Sequence, residues 1–240
     1  MLGTSHGELV QTILRCLGLP ESIRMPIQEY HAGAAAGRLT SPLARVLRLA
    51  DLYANGTQLA SSGDAPVTPL TRADVRAATG QDAPPRPDGM MLRGEIFALT
   101  AMLARLSPKE EAALMAQPFE RRPLKMWLAR DPGLSAFDPV HTALESICDV
   151  TASEALPRSQ QLAGHHGLVV VARSATATGF SGPEIAAAAG ALPALWLSGH
   201  LEGGLPAGAM TPKAWPVPLA SLAEFIRSCQ PAQNVAVVAA

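Results

Sequence analysis

The chain has 240 residues, 48% of them hydrophobic and 16% charged, which suits one large domain or two small ones and excludes extended disorder. Its 19 basic and 20 acidic side chains leave a formal charge of -1, without the positive excess that nucleic-acid binding calls for. Three scattered cysteines, Cys16, Cys148 and Cys229, indicate neither a disulfide framework nor a zinc knuckle. No run of about 18 apolar residues and no basic-then-apolar leader occurs, so a protein of the reducing cytoplasm without membrane contact is expected.

In chain order, Leu9, Ile13, Leu14 and Leu17 recur at helical spacing until Gly18 and Pro20 stop the run. A second helix is predicted from Glu21, with Ile23 and Ile27 one turn apart. Ser41 as cap and Pro42 in the first turn open a third, striped by Leu43, Val46, Leu47, Ala50 and Ala54. Residues 61–89, rich in Pro, Gly, Ser and Asp, read as linker with one short helix over 72–78. A helical pair is expected over 91–116, its stripe carried by Leu92, Ile96, Leu99 and Leu103.

From Leu124 the pattern changes to short apolar runs alternating with amphipathic segments, the mark of βαβ units. Strands are predicted over 125–129, 149–153, 168–172, 194–198 and 209–211, and helices over 138–147, 154–163, 183–189 and 219–227. The expected fold class is α + α/β. A helical segment spans 1–65, a linker and helical pair 66–122, and a doubly wound five-stranded parallel sheet 123–240. His165 and His166, beside Gly164 and Gly167, read as loop residues.

Two resemblances bear on function. The run Ser5-His6-Gly7-Glu8-Leu9, the Gly18-Leu19-Pro20 turn, Tyr30-His31 and the helix Leu49-Ala50-Asp51-Leu52-Tyr53-Ala54 resemble the C-terminal part of HDOD domains, relatives of the HD phosphohydrolases. The resemblance sets Asp51 where that family's last metal-binding Asp stands. His6, His31 and Asp51 are therefore remnant candidates, without the upstream His and His-Asp pair that an active metal centre requires. Residues 124–228 resemble a response-regulator receiver in the order and endings of the strands. That likeness implies a pocket of Asp131, Ala172, Ser198 and Lys213, with Trp215 replacing Lys213 in an alternative register. Ala172 occupies the place of the phosphate-accepting Asp, and Arg130 stands where a second acidic residue would help hold Mg²⁺.

The expected function is that of a non-catalytic bacterial signalling protein acting by protein–protein binding, with a receiver-like domain that cannot be phosphorylated. No cofactor or metal is expected, homodimerisation is open, and Trp215 with Phe225, on the last strand and helix, is the candidate contact surface. The alternatives are a metal-dependent HD-type phosphohydrolase whose His-Asp half lies elsewhere, and a nucleotide-binding module using the crevice at the carboxyl ends of the strands.

Overall fold

The computed structural model describes residues 6–32, 39–56, 69–81, 84–88, 91, 94–95, 109, 122–172, 180–198, 210–215 and 217–229. The expected helical pair over 91–116 lies outside these apart from isolated positions. Numbering the described elements in chain order, α1 spans His6–Cys16, α2 Glu21–Ala32, α3 Pro42–Gly56 and α4 Arg72–Thr79. There follow β1 Lys125–Arg130, α5 Pro139–Glu145, β2 Asp149–Ser153, β3 Gly167–Ala172, α6 Gly182–Ala189, β4 Ala194–Ser198, β5 Met210–Ala214 and α7 Leu219–Ser228.

The five strands form one all-parallel sheet in the order β2-β1-β3-β4-β5. β1, β3 and β4 are buried along almost their whole length, as strands covered on both faces must be. Met126, Leu128, Val169, Val171, Leu195 and Leu197 form one face, packed with residues of α5 and α7. Trp127, Leu168, Val170 and Trp196 form the other, covered by Ile185 and Ala189 of α6 and by Leu162.

The expected helix over 154–163 is a correction: only a 3₁₀ turn, Ser159–Leu162, is present. Pro157 sits in the middle of that stretch, has no amide to donate and turns Leu156 away from helical dihedrals. The last strand is longer than predicted and contains Pro212, which an edge strand tolerates because one side of its ladder is unpaired. Lys213 therefore lies inside β5, in register with Leu197, rather than after it.

α1 packs on α2, α2 on α3, and α3 on α4 and α5. The helices join the sheet through the loop after β1. Gly133, with φ of 91°, makes the turn there and its carbonyl accepts the Arg72 amide at 3.0 Å. The Ser135 amide donates to Leu70 O at 2.9 Å, Thr71 bridges Leu134, and the Tyr53 ring meets Phe137 at 4.6 Å between centroids. Tyr53 and Thr142 share a 2.5 Å hydrogen bond between hydroxyls.

Trp215 and Phe225, the expected contact surface, are instead interior, 4% and 7% exposed, which corrects that expectation. A chain with 4% aromatic residues has few large groups with which to fill a core, and here Trp215 lies against Gly56 at the end of α3. A Cβ on Gly56 would stand 2.6 Å from Pro139 Cγ and 2.9 Å from Trp215 Cζ2. Gly56→Ala is expected to lower stability by about 1–3 kcal/mol through overpacking, and Trp215→Ala by about 3–5 kcal/mol. Chemical denaturation of both variants checks this; wild-type stability in Trp215→Ala would restore a surface role.

Candidate functional site at the carboxyl edge of the sheet

At the carboxyl ends of β1, β3 and β4 the register brings together three of the four expected pocket residues. Ala172 is in register with Ser198, and the amide of Asp131 donates to Val171 O at 3.0 Å. Asp131 is buried, and its Oδ1 accepts the Phe180 amide at 2.9 Å, just before α6. Ala172 and Ser198 are fully buried. Lys213 is exposed on the edge strand, one residue before the Ala214 that pairs with Ser198, and does not join them.

Sequence reasoning sets Arg130 beside Asp131, but consecutive strand residues face opposite ways. Arg130 shares the side of Met126 and Leu128 and runs beneath α5, whereas Asp131 turns toward Phe180. Arg130 is 6% exposed, and its Nη1 lies 3.0 Å from His141 Nδ1. A guanidinium only donates, so Nδ1 is the acceptor and the ring proton sits on Nε2. Nε2 faces Glu145 Oε1 at 3.1 Å, one turn on along α5. Glu145 in turn receives both arms of Arg86, at 2.9 Å each. The result is a relay from a strand end, across a helix, to the segment 84–88.

Asp138 starts α5, its Oδ1 accepting the Val140 amide at 2.9 Å. Arg130 Nε and Asp138 Oδ2 are buried without hydrogen-bond partners among the described residues. Burial pushes the Asp138 carboxyl up to about 6, against the pull of the Arg130 charge and the cap amides. Burial pushes His141 down to about 4, with the positive charge of Arg86 adding to it. For Glu145 burial acts upward, but the Arg86 hydrogen bond and the neighbouring charges prevail and its carboxyl is lowered. This cluster is the part that sequence reasoning missed. Its signal was an Asp-Pro helix start followed by His and Glu four residues apart.

The remnant candidates are not assembled as a metal site. Asp51 accepts from Asn55 Nδ2 at 3.0 Å and from Arg48 Nη1 at 3.4 Å. Burial and a hydrogen bond to Asp51 push the Tyr30 phenol up to about 12. His31 packs its ring at 4.7 Å from Tyr30, and the His6 side chain lies outside the described residues. No group of three or more His, Cys, Asp or Glu suited to a metal occurs among the described residues. Among the described residues, His165 and His166 brace β1: His166 Nδ1 accepts the Lys125 amide, and the His165 ring meets Trp127 edge-on at 5.2 Å. No helix among the described residues is long and apolar enough to cross a membrane. No family model, curated protein or solved structure significantly matches the chain.

Asp138 and His141 predict opposite responses to pH. Asp138, raised, contributes stability that is present below its unfolded value of 3.8 and lost as pH rises through about 6. His141, lowered, contributes stability that is present above 6.5 and lost as pH falls through about 4. In the wild type the two slopes offset each other over most of that window. Asp138→Asn keeps a capping side chain and leaves the His141 slope alone, so its thermal midpoint is expected to fall on acidification from pH 6.5 to 4. His141→Gln is expected to show the opposite trend. Thermal unfolding of both across this range checks the assignment, and parallel profiles for the two would refute it.

Proposed function

We propose that this chain is a non-catalytic signalling protein that acts by binding other proteins, built on a receiver-like, doubly wound sheet that does not accept phosphate. The observation that carries the reading is Ala172 at the carboxyl end of β3, the middle strand of the parallel order β2-β1-β3-β4-β5. A methyl group cannot attack phosphorus, and it is flanked by Asp131 on one side and Ser198 on the other, the two receiver-like residues that remain. The residue before Asp131 in sequence is Arg130 rather than a second acid, and the Asp131 Oδ1 is engaged by the Phe180 amide, so it is poorly suited to hold Mg²⁺ for phosphoryl transfer. The HDOD-like helices supply a second binding element, cytoplasmic as is usual for such proteins. They meet the sheet unit through Tyr53, which packs on Phe137 and bonds Thr142 of α5, while Thr71 and Arg72 of the following segment hold the loop after β1.

Incubation with acetyl phosphate and Mg²⁺ is expected to leave the intact mass unchanged. Ala172→Asp is expected to stay largely unmodified as well, because one carboxylate without a paired acid gives the metal too few ligands. A phosphoryl adduct on the wild-type chain, mapped within residues 124–228, would overturn the proposal.

A further inference from the structure

α3 and α4 do not close on each other along their whole length. Next to the apolar contact of Leu49, Leu70 and Val75, a cavity of about 190 Å³ lies between them, open to solvent and lined mostly by apolar groups. Its α3 wall is a single helix face, on which Arg45, Arg48, Leu49 and Leu52 recur at spacings of three and four residues. On the α4 side the wall is formed by Asp74 and by alanines, including Ala77. Arg45 reaches across, its Nη1 donating to Ala77 O at 3.3 Å, and it forms no ion pair among the described residues. Its Nε is buried without a hydrogen-bond partner among those residues. The acids around it are engaged elsewhere. Asp74 Oδ2 takes the Thr71 amide and hydroxyl, Glu29 holds Thr40 and Ser41, and Asp51 accepts from Arg48 and Asn55.

We infer that this cavity is a binding site for a small organic monocarboxylate, with its acid group paired to Arg45 and its alkyl tail laid on Leu39, Leu49 and Leu52. A guanidinium is a planar fork that matches the two oxygens of a carboxylate, and a partly desolvated one gains the most from such a pair. The apolar lining rewards an alkyl tail and gives nothing to a bare, strongly hydrated anion. Asp74 in the wall repels a second negative charge on the ligand, which favours one carboxylate over a phosphate dianion. The volume equals that of about six molecules of liquid water and falls below the roughly 300 Å³ at which drug-sized sites begin. An alkanoate of about four to six carbons fits it. Neither α3 nor α4 contributes to the pocket of Asp131, Ala172 and Ser198, so the site does not depend on whether the sheet accepts phosphate.

Saturation-transfer NMR and calorimetry of the full chain near neutral pH test the site, with pentanoate as probe and pentanol and inorganic phosphate as controls. Pentanoate is expected to bind saturably with a dissociation constant of about 0.1–3 mM, the range open to so few atoms. Pentanol, which lacks the charge, and phosphate, which lacks the tail, are each expected to bind about tenfold more weakly or worse. Arg45→Gln is expected to weaken pentanoate by about fivefold or more. Ala77→Leu leaves Arg45 in place, fills the cavity from an exposed position of α4, and is expected to abolish binding. Absence of saturable binding up to about 20 mM pentanoate overturns the inference. So does equal binding of pentanol, which would mean an apolar cleft only, or of phosphate, which would mean attraction of any anion. Unchanged affinity in either variant overturns it as well. Circular dichroism separates misfolding from lost binding, and if Arg45→Gln does not fold, Ala77→Leu together with the two control ligands decides.

Discussion

Burying a guanidinium beneath a helix is costly in any protein, because the charge gives up water and must be compensated locally. Arg130 does this at the end of β1, and much of the surrounding geometry answers to it. The imidazole of His141 is held in one tautomer, the carboxylate of Asp138 faces the charge from the helix start, and Glu145 passes the interaction to Arg86. Since α5 begins at Asp138 and carries His141 and Glu145, the same charge also determines how that helix lies over the sheet. The Tyr53–Thr142 hydrogen bond then transmits the placement of α5 to α3. Any rearrangement at the carboxyl edge of β1 would have to break this chain of contacts or move the helical segment with it.

The parallel sheet was legible because its signals are short-range. Continuous apolar runs such as Leu168-Val169-Val170-Val171 and capping signals such as Ser181-Gly182-Pro183 with Glu184 act within a few residues. The failures share a different cause. Pro157 overrode a stretch that otherwise had helical length, and Pro212 looked like the end of a strand only if its edge position was unknown. Trp215 was ambiguous for a stronger reason: whether an aromatic side chain is core or surface depends on what arrives opposite it, and here that is Gly56, far away in sequence. Likewise Arg130 and Asp131 read as one charged pair in the sequence and separate onto opposite sides of the sheet through nothing more than strand alternation.

The candidate pocket combines polar and inert groups in an instructive way. Asp131 and Ser198 are buried polar residues at strand ends, and each is tied to backbone nearby: Phe180 N donates to the Asp131 carboxylate, and Trp215 N donates to Ser198 O. Ala172 between them is packed among apolar neighbours of the α6 face. Such an edge has a fixed shape set by backbone hydrogen bonds and apolar packing.

The contact of Gly56 with Trp215 and Val217, distant in sequence, bears on how the molecule is assembled. The last carbonyl of α3 accepts the Val217 amide at 3.3 Å, and the missing side chain of Gly56 leaves room for Trp215 and Pro139. Elements that emerge earlier from the ribosome are thus closed off by residues that emerge well after them. Early helices can form locally, but the end of α3 stays open until β5 has joined the sheet, making this seam a late and slow step of high contact order. A nascent chain released before that point would carry an uncovered helix end and an unfilled aromatic socket, features by which quality-control machinery could distinguish it from the finished protein.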